Sequence, residues 1–236
     1  MAAAVTLASN LSGGDRGRRR ASSGARGLLG QCRRPTGWIG RFVLWSMNAR
    51  HARSTDWGLS HVSIRPGDTI LDVGCGGGRT IHKLAGLATE GRLHGLDHSE
   101  ESVAASRRTN ARLVREGRVE IGEGSVSRLP YPDGTFDLVT GVETHFFWPD
   151  LPADMREVLR VLKPGGTLLL VAEIYRGGSH ESRIRRFGDR LTEIAGMTLL
   201  SVEEHRDLFS RAGYSRVQVF EEPAKGWICG VGTRTS

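Results

Sequence analysis

Between residues 69 and 173 the chain alternates short apolar runs with longer amphipathic stretches, and that alternation limits the fold more than any other feature. The pattern predicts strands over Thr69–Val73, Arg92–Leu96, Val119–Ile121, Phe136–Thr140 and Thr167–Ala172. Between them it predicts helices over Arg79–Leu87, Glu100–Glu116 and Leu151–Leu162, with "LPYPDGTF" as a loop and "KPGG" as a turn. Strands separated by helices build a parallel sheet with right-handed crossovers. The unbroken apolar run of Thr167–Ala172 suits a strand covered on both faces. The C-terminal part departs from this rhythm. A helix is expected near Val202–Ala212, then strands at Val217–Phe220 and Trp227–Val231. Their connection is too short for a crossover helix, so this pair should be antiparallel.

The first strand runs straight into glycine: "ILDVGCGGGRT", residues 70–80. A bare loop between a strand and a helix lets backbone amides and a helix N-terminus approach a ligand closely. Three ligand classes use such a loop, and spacing separates them. A P-loop requires a lysine after its last glycine, and none follows here. A dinucleotide loop requires GxGxxG, and Gly74, Gly76 and Gly78 give GxGxG with Arg79 at the position of the third glycine.

The third class is S-adenosylmethionine (SAM). "LDVGCGGG" resembles motif I of the class I SAM-dependent methyltransferases. "LHGLDHS", "GSVSRLPYPDGTFDLV" and "REVLRVLKPGGTLLL" follow in that family's order. The resemblance runs from about Trp38 to the C-terminus and is strongest over 69–173. Its closest subgroup comprises the small-molecule enzymes related to ubiquinone, menaquinone and sterol methylation. The implied fold is an α/β, Rossmann-like, seven-stranded, mostly parallel sheet with an antiparallel last strand. Helices cover both faces, and an N-terminal helical lid covers the ligand.

The resemblance also implies roles for residues. Asp97, ending the second strand, would accept hydrogen bonds from the ribose hydroxyls of SAM. Asp72 would hold the loop and the methionine ammonium. Gly74, Cys75, Gly76 and Gly78 would form the cradle, with His98 beside Asp97. Ser125 and the Val126 backbone would meet adenine. Many relatives carry an acid at position 125, so the neutral serine makes a weaker acceptor, and Glu123 lies nearby as a substitute. Cys75 has neither a second cysteine nor a base close in sequence, and reads as a small residue in a tight loop.

Chemistry in open α/β sheets sits beyond the carboxyl ends of the strands. That puts "GVETHFFWPD" at the acceptor side, with Glu143 and His145 as the expected catalytic pair and Phe146, Phe147 and Trp148 as an apolar wall. Relatives with nucleic-acid substrates often carry an Asn-Pro-Pro-Tyr-type motif here, which this chain lacks. No metal is required by the transfer, and the three cysteines, Cys32, Cys75 and Cys229, make no zinc pattern.

Charge bears on the partner. Residues 1–34 hold seven arginines and one acid, a surplus of six in a chain of net charge +7, so the remaining residues carry only +1. A folded nucleic-acid binder carries its basic surface on the domain itself. The expected partner is therefore a small apolar or aromatic acceptor. An RNA methyltransferase anchored by the basic tail and a non-catalytic SAM-binding protein are the alternatives.

Three regions are expected: a disordered Arg/Ala/Ser-rich tail over 1–34, a helical lid over 35–64 and the methyltransferase domain over 65–236. The helix with Trp45, Met47, Asn48, His51 and Trp57 would be the lid, with Trp57 or His51 touching cofactor or acceptor; a plain hydrophobic helix docked on the core is the alternative. His180 and "RIRRFGDR" follow the fifth strand, where relatives insert substrate-recognition helices. No apolar run reaches the ~18–20 residues of a membrane span. Sparse cysteines fit the cytoplasm, and the tail has the composition of an organelle transit peptide as well as that of a dispensable start. The oligomeric state is left open.

Overall fold

The computed structural model describes residues 51–179 and 197–235. The tail, residues 35–50 with Trp45, Met47 and Asn48, and His180 with the basic run after it lie outside the described residues.

Seven strands form one sheet: β1 Ile70–Val73, β2 Leu93–Asp97, β3 Val119–Glu123, β4 Phe136–Val142, β5 Leu162–Ala172, β6 Tyr214–Glu222 and β7 Trp227–Arg234. Their order is β3-β2-β1-β4-β5-β7-β6. β1 to β5 pair in parallel, and β7 runs antiparallel to both β5 and β6. The expected sheet, mostly parallel with an antiparallel last strand, is the observed one. The order reverses at β1, where β2 and β4 flank it, and ligands bind at such a switch point.

Successive residues of a strand point to opposite faces. Leu71, Val73, Val139, Leu168 and Leu170 join one apolar layer. Ile70, Leu138, Leu169 and Val171 join the other. The first layer is closed by α5 (Leu151–Val161) and α6 (Val202–Ala212) through Met155, Val158 and Phe209. The second is closed by α2 (Arg79–Leu87) and α3 (Glu100–Thr109) through Ile81, Leu84 and Val103. Two buried faces are why the strands read as unbroken apolar runs.

α1 (Ala52–Leu59) lies on the second layer against β5 and β7. A Cβ at Gly58 would come within 2.3 Å of Val171 Cγ2, so the helix rests directly on the sheet.

Two expectations need correction. The single helix expected over Glu100–Glu116 is divided at Asn110 into α3 and α4 (Ala111–Arg115). The Asn110 amide donates to the carbonyl oxygens of Gly78 at 2.9 Å and Ser106 at 3.0 Å, tying the glycine loop to the helix end. The "KPGG" turn is instead the start of β5, with the register against β4 slipping between Phe136 and Leu138.

Candidate active site

The cradle is the turn from β1 into α2. Gly74, Gly76 and Gly78 all have positive φ, at 73°, 50° and 79°. At Gly74 an added Cβ would stand 2.5 Å from Thr144 Oγ1, and at Gly78 one would stand 2.4 Å from Ser106 Oγ. Both the left-handed backbone and the space exclude a side chain. The turn leaves α2 without a side-chain cap, and Arg79 and Thr80 of its first turn line the adjoining cavity.

Asp97 closes the other side of the turn. Its Oδ2 accepts from the Gly76 amide at 2.9 Å and its Oδ1 from the Ser99 amide at 3.0 Å. The half-exposed His98 ring stands 3.7 Å from Asp97 Oδ1. Ser99 caps α3, its hydroxyl oxygen accepting from the Ser102 amide. Asp72 is buried beneath the turn and accepts from the Thr140 hydroxyl at 2.7 Å. Burial raises its carboxyl to about 7, with the Thr140 hydrogen bond opposing and the Asp97 charge adding. Cys75 is buried too. Burial, then the charges of Asp97 and Asp72, hold its thiol well above the ordinary range, so it is no nucleophile.

A cavity of about 1000 Å³ runs from this turn to the end of β4 and the loop that follows it. Asp72, Gly74, Cys75, Gly76, Asp97 and His98 line one end, and Ser125 and Val126 a side wall. Glu143, Thr144, Phe147, Trp148 and His51 line the other end. Gly78 is outside the lining and serves as the N-cap of α2. Trp57 is also outside the lining and packs toward Trp227 at 5.9 Å between ring centroids.

The expected catalytic pair is divided. Glu143 faces the cavity from a left-handed backbone, φ 57°. Such a conformation in a residue with a side chain costs about 1–3 kcal/mol and persists where the surroundings enforce it. Here the Glu143 amide donates to the Val171 carbonyl at 2.9 Å, and Glu143 Oε1 accepts from the Glu173 amide at 2.5 Å. Burial raises the Glu143 carboxyl to about 7, against the His51 charge and with the Glu173 charge adding.

His145 is absent from the cavity wall. The chain leaves β4 through the Glu143 kink into a 3-10 turn, His145–Phe147, which carries the imidazole into the core. There its Nε2 meets His205 Nε2 of α6 at 3.1 Å. The signal the sequence reading missed is Glu173, one residue beyond β5 and so at the same sheet edge as Glu143.

The pieces suit SAM: a backbone cradle at a helix N-terminus, a carboxylate at the end of β2 and a buried carboxyl with no cationic side chain among its described partners. Residues 70–166 match the family described as "Methyltransferase domain". That domain resembles the class I SAM-dependent methyltransferases, enzymes whose cofactor is SAM.

Among curated proteins it is similar to the uncharacterized methyltransferase YdaC of Bacillus subtilis, 28% identical over 61% of this chain and 78% of that one. It is also similar to a demethylmenaquinone methyltransferase of Symbiobacterium thermophilum, 35% identical over 55% of this chain. Of that relative it spans 51%, about half the length. Among solved structures, a SAM-dependent methyltransferase from Aquifex aeolicus superposes with a TM-score of 0.65 at 20% identity. That match covers 81% of this chain and 97% of the other, and is a likeness of fold.

Proposed function

We propose that this chain transfers the methyl group of SAM to a small acceptor with an apolar or aromatic body, by in-line displacement, releasing S-adenosylhomocysteine. The observation that carries the reading is the continuity of the cavity. Its glycine end is built for the cofactor, and its far end offers Phe147 and Trp148 beside Glu143. About 1000 Å³ is the top of the ~300–1,000 Å³ range of small-molecule sites, enough for a cofactor and an acceptor together.

SAM supplies the electrophilic methyl group. The chain aligns the partners and excludes water. Asp97 would hold the ribose, Asp72 the methionine ammonium, and Ser125 with the Val126 backbone the adenine. The bare turn would let the amino-acid portion approach the backbone, the Gly74 and Gly76 amides being engaged by the Leu96 carbonyl and Asp97, and Cys75 and His98 would contribute walls. Glu143 stands on the acceptor side. The demethylmenaquinone methyltransferase among the relatives supports a small acceptor bearing a ring.

The seven arginines of residues 1–34 favour a second reading, an RNA methyltransferase that uses the tail as a phosphate anchor. S-adenosylhomocysteine release over a panel of quinols, phenols, aromatic amines and transfer RNA tests both. The first reading expects turnover with a ring compound that survives deletion of 1–34. Turnover on RNA alone, lost with the tail and suppressed by salt, would establish the second.

A further inference from the structure

Three polar side chains meet at the acceptor end of the cavity from three different elements. His51 is the N-cap of α1, Glu143 follows β4 and Glu173 follows β5. One ligand atom from each lies within 4.8 Å of the others. His51 and Glu143 line the cavity, whereas Glu173 stands behind them. His51 Nδ1 is 3.2 Å from Glu173 Oε1, and that oxygen also accepts from Ser54 Oγ at 2.7 Å. The ring is anchored through its backbone too, because the His51 carbonyl accepts from Ser54 Oγ at 3.0 Å and Thr55 Oγ1 at 2.7 Å.

A carboxylate on Nδ1 selects one tautomer. It draws the proton to Nδ1, turns the lone pair to Nε2 and stabilises the imidazolium formed when Nε2 takes a second proton. Nδ1 is the buried ring nitrogen, and Glu173 meets it as a 3.2 Å ion-pair contact, so the pull on the proton is electrostatic. The competing group is less suited. Glu143 Oε1 is already engaged by the Glu173 amide, on a backbone held in the left-handed region.

We propose that His51 is the base of the methyl transfer, with Glu173 as its positioning residue and an O–H or N–H group as the acceptor. The inference rests on the methyl-transfer reading above. The acceptor's lone pair forms the bond to the methyl carbon, and the carbon–sulfur bond breaks with its electron pair going to sulfur. The acceptor's proton goes to His51 Nε2 and then to water. Phe147 and Trp148 would hold the ring that carries the O–H or N–H group.

The test uses the full chain loaded with S-adenosylhomocysteine and labelled with 15N-histidine. Long-range proton–nitrogen spectra, with His51→Gln to assign the ring, should show neutral His51 protonated on Nδ1. Glu173→Gln should move that proton to Nε2 while S-adenosylhomocysteine affinity stays within twofold. A wild-type ring protonated on Nε2, or a tautomer indifferent to Glu173→Gln, overturns the proposal. So does capture of the ring by added zinc ion that chelation reverses, because the cluster would then be a metal site.

Turnover supplies the second arm, read with the phenol and the aromatic amine that the acceptor panel selects. With the phenol, His51→Gln should lower kcat ~10²–10⁴-fold near neutral pH, the usual worth of a positioned base. That deficit should shrink as pH approaches the range where the phenol ionises unaided, and a deficit constant with pH contradicts a base. Wild-type protein that binds no S-adenosylhomocysteine would instead sink the methyl-transfer reading itself.

Discussion

Asp97→Ala is expected to weaken S-adenosylhomocysteine binding ~10²–10⁴-fold. The carboxylate offers two charge-assisted hydrogen bonds to the ribose, each worth about 1.5–3 kcal/mol, against 1.4 kcal/mol per tenfold in affinity. The same carboxylate also accepts from the Gly76 and Ser99 amides, so the alanine variant loses both ligand contacts and loop support. Asp97→Asn separates the two. Its amide oxygen can still accept one backbone hydrogen bond, and its affinity should fall between wild type and alanine while the melting temperature stays near wild type. Calorimetric titration of the three proteins measures this. Equal affinity in all three would remove Asp97 from the cofactor site.

The second large effect is on stability and comes from the buried histidine pair. His205 Nδ1 lies 2.7 Å from the Ser201 carbonyl, and since a carbonyl only accepts, Nδ1 carries the proton. His205 Nε2 then offers a lone pair to His145 Nε2–H at 3.1 Å. That assignment leaves His145 Nδ1 buried with no hydrogen-bond partner among the described residues. Burial first, and then the His205 charge, hold His145 well below the usual histidine range. Burial lowers His205, with the Ser201 carbonyl opposing.

The unfolded rings take up protons near ~6.5 and the folded rings only below that. The unfolded state therefore binds more protons in this window, and stability is lost as pH falls through it. Asp72 and Glu143 act with the opposite sign, because their folded carboxyls, raised to about 7, keep protons that the unfolded carboxyls have released. The pair's share is thus a difference between proteins. The double variant His145→Phe, His205→Leu should gain on wild type by up to about 2.8 kcal/mol per pH unit below ~6.5, two groups at about 1.4 each. Urea unfolding at several pH values reads this, and a difference independent of pH contradicts a buried neutral pair.

The contrast between Glu143 and His145 shows how far the sequence was legible. The strands were readable because both sheet faces are buried, which leaves period-free apolar runs such as Thr167–Ala172. The cradle was readable because only glycine tolerates Gly74's backbone and the nearness of Thr144. Direction beyond a strand end was not readable. One left-handed residue, Glu143, and a three-residue 3-10 turn decide that His145 enters the core, and neither has a local sequence signature. Asn110 broke an otherwise helical pattern for a tertiary reason, its bond to the Gly78 carbonyl 32 residues away. Glu173 was missed because it gains meaning only beside β4 and α1, which bring Glu143 and His51 to it.

Isothermal titration of the purified chain with S-adenosylhomocysteine, SAM and NAD tests the central claim most directly. The account predicts micromolar binding of the first two and none of NAD. It also predicts tightening as pH rises through about 7, where Asp72 ionises and can hold the ligand's ammonium. Binding of NAD in place of S-adenosylhomocysteine, or no binding of either, would contradict it.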